Sequence, residues 1–536
     1  MRRLVVRWTW GAAVTASLLV IAPARAHGAP QESPAAAEGE QAVEWLKDEK
    51  GREYRVEKLP KAYPHQRLED GRLRTVWGIV VDLAGEDEKD FFVKMYRTAA
   101  PERPAAPRGL TAEQKAAVAA SYAHDAPTAE TLRFEPFDDG LPRSGQWRNR
   151  FALADLDGDG HLDVVHGPAR KRPGPPVVFR GDSKGHWRRW SEVSFPRQVY
   201  DYGAAAVADF DGDGRPDLAL GMHLRGVTAL RNEGGGRFAA YHEGMDVVGD
   251  RQNPAFSSRA LATLDWDGDG RIDVLALAEG PRLMLGQGGP RGAQGSTGVV
   301  LYRNRGDGTW EKKHGASRLF GDSVAPLRTS GGKTAFVTGT AVRGLDEVVF
   351  LPGGDPWTAR PLGLRPGALV WSVAVADFDG DGRDDVATGY AAYEGEQWRS
   401  GIDVYRQRPD GWDRRTVHVE EARTGVTAIA AGDLNRDGLP DLVGLTGDGR
   451  TLVFVATGKG AFSREPTSLT TLSTGCRGYH AAVADLDGDG YGDLVAAFAG
   501  EPEGMAMLQT PGCPGEGSLR AWRTQPVKTV SSEPRK

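Results

Sequence analysis

The chain has 536 residues, a net charge of −6, 71 glycines, 33 prolines and 2 cysteines. Such glycine and proline usage suits many short strands joined by tight turns and argues against long helices. The length allows several domains or one large repeat array, and the basic residues are dispersed, which excludes a strong nucleic-acid-binding patch.

Residues 1–26 read as a secretory signal peptide: Arg2, Arg3 and Arg7 precede an apolar stretch from Trp8 to Ile21, and Ala24-Arg25-Ala26 gives a small-x-small cleavage pattern. An uncleaved membrane anchor is the alternative. No later run approaches the roughly 18 apolar residues of a membrane helix, so no transmembrane segment is expected after cleavage. Residues 27–42, rich in Ala, Pro, Gln and Glu, suit a disordered leader. Residues 43–98 carry strand-like segments such as EYRVEKLP and LRTVWGIVVDLAG and form a small β-rich domain. Residues 99–147 hold a Pro-rich linker, Pro101 to Gly109, and a short helix opened by a capping-box pattern at Thr111 and Gln114. Residues 148–515 are a repeat array, and 516–536 a disordered tail.

Six copies of one core define the array: FALADLDGDGHLDVV, AAVADFDGDGRPDLAL, LATLDWDGDGRIDVLAL, VAVADFDGDGRDDVATG, AAGDLNRDGLPDLVGL and AAVADLDGDGYGDLVAA. Their first aspartates are Asp155, Asp209, Asp265, Asp377, Asp433 and Asp485, spaced by 54, 56, 112, 56 and 52 residues. The interval of 112 is twice 56, so one copy has lost its loop but not its length. Seven strand-and-glycine tails accompany the six loops, among them VVFRGDSKGHW, ALRNEGGGRF, LYRNRGDGTW and, degenerate and last, AMLQTPGCPG. Seven units of about 55 residues, each with room for four short strands, fit a seven-bladed β-propeller. No unit buries both faces of its sheet alone, so the array must close or be capped.

Each loop spaces oxygen ligands for a hard cation. Positions 1, 3, 5 and 9 are Asp155, Asp157, Asp159 and Asp163 in the first loop; Asp209, Asp211, Asp213 and Asp217 in the second; and Asp265, Asp267, Asp269 and Asp273 in the third. The later loops give Asp377, Asp379, Asp381 and Asp385; Asp433, Asn435, Asp437 and Asp441; and Asp485, Asp487, Asp489 and Asp493. Position 7, whose backbone carbonyl can face inward, is His161, Arg215, Arg271, Arg383, Leu439 and Tyr491 in turn. Ca²⁺ accepts about 6–8 oxygens, and four carboxylates gathered without a cation repel one another strongly. An EF-hand is excluded because position 12 is His166, Leu220, Ala276, Thr388, Gly444 or Ala496, never the required Glu, and the flanks suit strands rather than helices. Position 2 is always apolar (Leu156, Phe210, Trp266, Phe378, Leu434, Leu486) and is expected to pack beneath the loop. In the copy without a loop, GTAVRGLDEVVF offers Asp346 and Glu347 but no spaced carboxylates, so no metal is expected there.

These DxDxDGxxD loops and their tails resemble the FG-GAP or VCBS repeats of integrin α-subunit-type propellers, over roughly residues 148–515. The resemblance implies Ca²⁺ in a β-hairpin loop on one face of an all-β propeller, with up to six ions. Arg436 and Asn435 depart from the pattern, so the fifth site is expected to be weaker. Without the four arginines of residues 1–26 the chain carries −10, which six Ca²⁺ would bring to about +2.

Cys476 and Cys513 flank the last repeat and can form a disulfide in an exported chain; two free thiols are the alternative. Two RGD triplets, Arg180-Gly181-Asp182 and Arg305-Gly306-Asp307, both fall in tail turns, and turn chemistry explains them. No GxSxG, HExxH or paired CxxC occurs, so no catalytic residue is assigned. The chain reads as a secreted, periplasmic or cell-surface calcium-binding propeller that binds a protein or glycan, as an adhesion or scaffolding module. The alternative is a lyase-like carbohydrate-active enzyme, with clustered His, Arg, Tyr or acidic residues at the channel mouth, outside the calcium loops.

Overall fold

A computed structural model of the chain describes residues 130–527, apart from 171–173, 248–255, 281–297, 316–318, 331, 333, 341–343, 350–357, 362–368, 395–396, 423–424, 468, 470–474 and 501–512, together with strands between residues 43 and 82. The expected signal peptide, leader, capping-box helix and last residues of the tail lie outside the described residues. In the 43–82 segment, Val43–Lys47, Glu53–Lys58 and Val81–Asp82 pair in one sheet, and Tyr63–Glu69 pairs with Arg72–Gly78 in another.

Seven four-stranded antiparallel sheets follow, and the described residues contain no α-helix. The first holds Ala152–Ala154, Asp163–His166, Val177–Arg180 and Arg188–Arg189, and the second Ala205–Ala208, Asp217–Met222, Gly226–Asn232 and Phe238–Ala240. The third holds Ser258–Leu264, Asp273–Ala278, Val299–Asn304 and Trp310–Gly315, and the fourth Ser323–Arg328, Thr334–Thr340, Gly344–Val349 and Thr358–Pro361. Leu369–Ala376, Asp385–Glu394, Gln397–Arg408 and Gly411–Glu420 make the fifth, and Val426–Gly432, Asp441–Thr446, Thr451–Gly458 and Ala461–Arg464 the sixth. The seventh joins Arg477–Ala484, Asp493–Ala499 and Gly517–Pro526 to Leu132–Pro136, a strand that precedes all the others in the chain.

The strand pattern follows from burial. Second strands such as Asp217–Met222, Asp273–Ala278 and Asp493–Ala499 are buried at every residue, because a sheet packed on both faces requires a continuous apolar run. Fourth strands lie at the edge, and one of them, Trp310–Gly315, exposes Lys312, Lys313 and His314. Each sheet shares a buried apolar cluster with the next. Val165 and Val178 of the first sheet, for example, pack with Leu218 and Leu230 of the second. The seventh shares one with the first, in which Val495, Ala497 and Leu519 meet Phe151, Val164 and Phe179.

Two boundaries differ from the sequence expectation. The sheets run from Leu132 to Pro526, not from 148 to 515, because Leu132–Pro136 supplies the outer strand of the seventh sheet and Gly517–Pro526 its third. Part of the expected tail is therefore a buried strand: Leu519, Ala521 and Trp522 are at most 4% exposed, and most of AMLQTPGCPG lies outside the described residues. In the fourth sheet the first two strands are joined by residues 329–333, so the missing loop belongs there, and GTAVRGLDEVVF forms the next hairpin.

Cys476 and Cys513 are disulfide-bonded with their Cα atoms 4.6 Å apart, tying the start of the first strand of the seventh sheet to the residues just before its third. The added strand Leu132–Pro136 is also fixed from the sixth sheet. The carboxylate of Glu465, 4% exposed, accepts the Leu132 N–H at 2.9 Å, the Thr131 hydroxyl at 2.8 Å and the Thr131 N–H. Glu465→Ala leaves these donors unmet and should lower the unfolding free energy by about 1–3 kcal/mol. Glu130→Ala, at an exposed neighbouring site, should change it by less than about 0.5 kcal/mol. Urea denaturation of the two variants checks both.

Candidate metal centres

Each aspartate loop joins the first and second strands of its sheet, and position 9 is the first residue of the second strand, as in the pairs Ala154↔Asp163, Ala208↔Asp217 and Ala484↔Asp493. The loop folds around its own carboxylates. In the first loop Asp155 accepts the N–H groups of Gly158 at 2.7 Å, Asp159 at 3.1 Å and Gly160 at 2.8 Å. Asp157 accepts that of Asp159 at 3.2 Å, and Asp159 that of His161 at 3.0 Å. This turn needs left-handed backbone at positions 4 and 6, supplied by Gly158 (φ 78) and Gly160 (φ 86). In the fifth loop position 4 is Arg436 at φ 62, a conformation that costs a non-glycine residue about 1–2 kcal/mol.

Position 9 is the buried foundation of every loop. Asp217 is 0% exposed and accepts the N–H of Phe210 at 2.9 Å from its own loop and that of Asn232 at 2.6 Å from the third strand. Asp273, Asp385, Asp441 and Asp493 repeat the arrangement, each accepting one N–H from position 2 and one from the third strand, and Asp163 accepts those of Leu156 and of Gly181, the residue after its third strand. The apolar position-2 residue is thereby held down: Leu156, Phe210, Phe378, Leu434 and Leu486 are at most 3% exposed, while Trp266 is half-buried. Burial outweighs the hydrogen bonds and pushes the Asp163, Asp385, Asp441 and Asp493 carboxyls up to about 7, and those of Asp217 and Asp273 up to about 6. Neighbouring loop carboxylates add to the rise, and a bound cation acts in the opposite direction.

Five loops bring three carboxylate oxygens within 4.8 Å of one another: Asp155, Asp157 and Asp163; Asp209, Asp211 and Asp217; Asp265, Asp267 and Asp269; Asp377, Asp379 and Asp385; and Asp485, Asp487 and Asp493. Position 5 joins such a group only in the third loop, where position 9 does not. In the fifth loop Asn435 takes the place of the third carboxylate. These all-oxygen donor sets suit a hard cation and not a thiolate- or imidazole-seeking metal. At position 7, Arg215, Arg271 and Arg383 each pair with the position-5 aspartate of their own loop, Asp213, Asp269 and Asp381, and donate to a third-strand carbonyl: Asn232 at 2.9 Å, Asn304 at 3.1 Å and Gln407 at 3.3 Å.

The structure adds residues that the loop pattern does not reveal. An arginine of the third strand faces position 3: Arg180 lies 2.5 Å from Asp157, Arg231 3.8 Å from Asp211, Arg408 2.6 Å from Asp379 and Arg523 3.6 Å from Asp487, and Arg303 also pairs with Asp267. Where position 3 is Asn435, the corresponding third-strand residue is Val455, next after the Leu442↔Phe454 pair. The following asparagine links sheets. Asn232 Nδ2 donates to the Leu156 carbonyl of the first loop at 2.9 Å, and Asn304 Nδ2 to the Phe210 carbonyl of the second at 2.7 Å. The visible signal was the recurrent Arg-Asn in ALRNEGGGRF and LYRNRGDGTW. Both RGD triplets are engaged in the same turns: Arg180 pairs with Asp157, and Asp307 accepts the Thr309 N–H at 3.0 Å.

The FG-GAP-like repeat family matches residues 155–220 and 433–496, and the FG-GAP repeat family matches 369–397. Human integrin alpha-7 (Homo sapiens) is 28% identical over 137 residues, 23% of this chain and 12% of that protein. Integrin alpha pat-2 of Caenorhabditis briggsae is 29% identical over 196 residues, 32% of this chain and 16% of that protein. The phosphatidylinositol-glycan-specific phospholipase D of Rattus norvegicus is 28% identical over 190 residues, 31% of this chain and 21% of that protein. The chain thus matches less than a quarter of the length of any of these three relatives. With the matched repeats falling on the aspartate hairpins, the chain is an FG-GAP, integrin α-like repeat protein.

Proposed function

We propose that the seven sheets close into a seven-bladed propeller, that its hairpin loops hold Ca²⁺, and that the exported protein serves as a protein- or glycan-binding module of adhesion or scaffolding type. The observation that carries the metal reading is the recurrence of three oxygens within 4.8 Å in five separate loops, each built on a buried position-9 aspartate. Closure is supported by the apolar cluster common to the first and seventh sheets and by the pairing of Leu132–Pro136 with Gly517–Pro526. Export rests on the N-terminal sequence alone, and the binding role on the integrin α-subunits among the relatives.

The ligands in this reading are the aspartates at positions 1, 3, 5 and 9, with Asn435 at position 3 of the fifth loop and the backbone carbonyls of His161, Arg215, Arg271, Arg383, Leu439 and Tyr491. Calcium would supply positive charge that neutralises the loop and fixes the hairpin; the surrounding N–H donors already hold the carboxylates in place for it. Ca²⁺ is favoured over Mg²⁺ because these clusters offer many oxygens without the octahedral, water-rich shell that Mg²⁺ retains. The fifth site is the weakest, since Asn435 brings one charge less and Arg436 adds a cation and backbone strain.

Thermal unfolding of the mature protein should occur at a markedly lower temperature in excess chelator than in millimolar Ca²⁺, with several Ca²⁺ per chain counted by atomic emission. A site at a hundred times its Kd contributes about 2.7 kcal/mol. An unchanged transition with no bound metal would remove the calcium reading. Two variants of the second loop separate scaffold from ligand. Asp217→Asn sets an amide donor against an N–H and should cost about 1–3 kcal/mol with or without Ca²⁺. Asp211→Ala should leave the chelated protein within about 0.5 kcal/mol of the parent and lower its stability only when Ca²⁺ is present.

A further inference from the structure

The third-strand arginine that faces position 3 meets a different residue across the fourth strand in each sheet that has it. Arg303 lies opposite Glu311, and Arg523 lies opposite Glu135 and pairs with it at 3.0 Å. Arg231 lies opposite Ala239, and Arg408 opposite Gly411. In the first sheet Arg180 lies opposite Arg188, a second cation. Like charges directly opposite one another in an antiparallel pair are destabilising, and Arg189 adds a third guanidinium on the same short strand. Arg180 is engaged by Asp157 at 2.5 Å and by Asp159 at 3.5 Å. Arg188 and Arg189 are exposed, and among the described residues they form no ion pair.

These three arginines line one cavity of about 290 Å³, together with Trp190 and Glu192. Trp190 is fixed in place: its N–H donates to the Val178 carbonyl at 2.9 Å, and it is 8% exposed. The Arg180 guanidinium stands 5.5 Å from the centre of the indole ring, so an aromatic wall and a cation adjoin. Glu192, which accepts the Ser191 hydroxyl at 2.7 Å, is the one acid in the lining. The lining therefore carries three positive charges against one negative. An anion seated there offsets the Arg180–Arg188 repulsion, and the planar fork of a guanidinium matches a carboxylate or sulfate ester.

We propose that this cavity on the outer edge of the first sheet binds an acidic sugar unit, with Arg188 and Arg189 taking its anionic group and Trp190 its apolar face. A space of this size lies at the small end of ligand sites and suits one ring of a glycan, not the surface of a folded partner. Carboxylate and sulfate ester share the relevant chemistry. The inference deepens the glycan-binding reading above and rests on it for the class of ligand. It needs neither ring closure nor metal, because every residue it uses belongs to the first sheet or directly follows it.

Calorimetric titration of the full mature protein tests this, with galacturonate, galactose 6-sulfate, inorganic sulfate and galactose as probes. Saturable binding of at least one sugar acid is expected, with inorganic sulfate and galactose both weaker. The sugar acid that binds names the anion, carboxylate or sulfate ester. The double variant Arg188→Gln, Arg189→Gln should weaken that binding about tenfold through lost charge-assisted hydrogen bonds. Its unfolding temperature should not move, since both side chains are exposed. Glu192→Gln removes the one acid and should strengthen binding. Arg414→Gln with Arg415→Gln removes the same charge from the exposed fourth strand of the fifth sheet and should leave binding unchanged. No binding of either sugar acid, inorganic sulfate bound as tightly as they are, or an equal loss in the Arg414 and Arg415 variant overturns the proposal. A glycan array probed with the same proteins separates the two readings. Glycans held equally by the parent and the Arg188, Arg189 variant would overturn this cavity and keep a glycan-binding module.

Discussion

The buried aspartate at position 9 is the interaction on which the rest of the repeat depends. One of its oxygens accepts an N–H from the loop and the other an N–H from the third strand, so one carboxylate joins three successive strands at the same level of the sheet. It thereby sets the hairpin register, holds the apolar position-2 residue down and brings the third-strand arginine opposite position 3. A neutral amide of the same size cannot replace it, because both of its contacts are with donors. The energetic consequence is a carboxylate in a dry place whose pKa burial raises, beside further carboxylates that raise it again. A cation above the loop relieves both effects at once, which gives a physical reason for metal in a loop that backbone hydrogen bonds already shape.

The fifth loop shows how far charge balance governs the repeat. Its third position is Asn435 where the others have aspartate, and the strand residue that would face it is Val455 where the others bring an arginine. Carboxylate and guanidinium have departed together, leaving a loop that keeps its buried Asp441 and its hydrogen bonds to Leu434 and Ala456 at 2.8 and 2.7 Å. Arg436 has instead entered the loop and donates to the Asp489 carbonyl of the next one at 3.1 Å. The fold tolerates these changes because Asp441 keeps its two backbone partners and Asp433 still accepts the Asp437 and Gly438 N–H groups at 3.1 and 2.7 Å.

Much of this was legible in the sequence, for a physical reason: a hairpin loop with carboxylates at fixed offsets is a local feature, and its spacing counts the sheets. Loop edges and apolar anchors follow from residues within about ten positions of one another, and the sheet without a loop follows from the doubled interval of 112 residues between Asp265 and Asp377. What was not legible depends on pairing across the chain. Leu132–Pro136 looks like linker sequence until it meets Gly517–Pro526, nearly four hundred residues later. The missing loop of the fourth sheet was sought in GTAVRGLDEVVF, although the first hairpin there turns through residues 329–333. The partners of the loop arginines and asparagines lie one strand or one sheet away, so Arg-Asn was visible as a repeated dipeptide but not as a pair of contacts.

The two ends of the sheets divide the electrostatics between them. Acid is concentrated where the backbone forms tight hairpins, because those turns offer many N–H groups and a carboxylate has the most acceptor sites of any side chain. The opposite ends present side chains from the starts of the first strands, beside the ends of the second strands. Arginine suits that position, since its long side chain spans from one sheet to the next, as Arg259 does between Glu279 and Asp322. A scaffold held together by anionic loops at one end can therefore vary the residues at the other without disturbing the register of its strands.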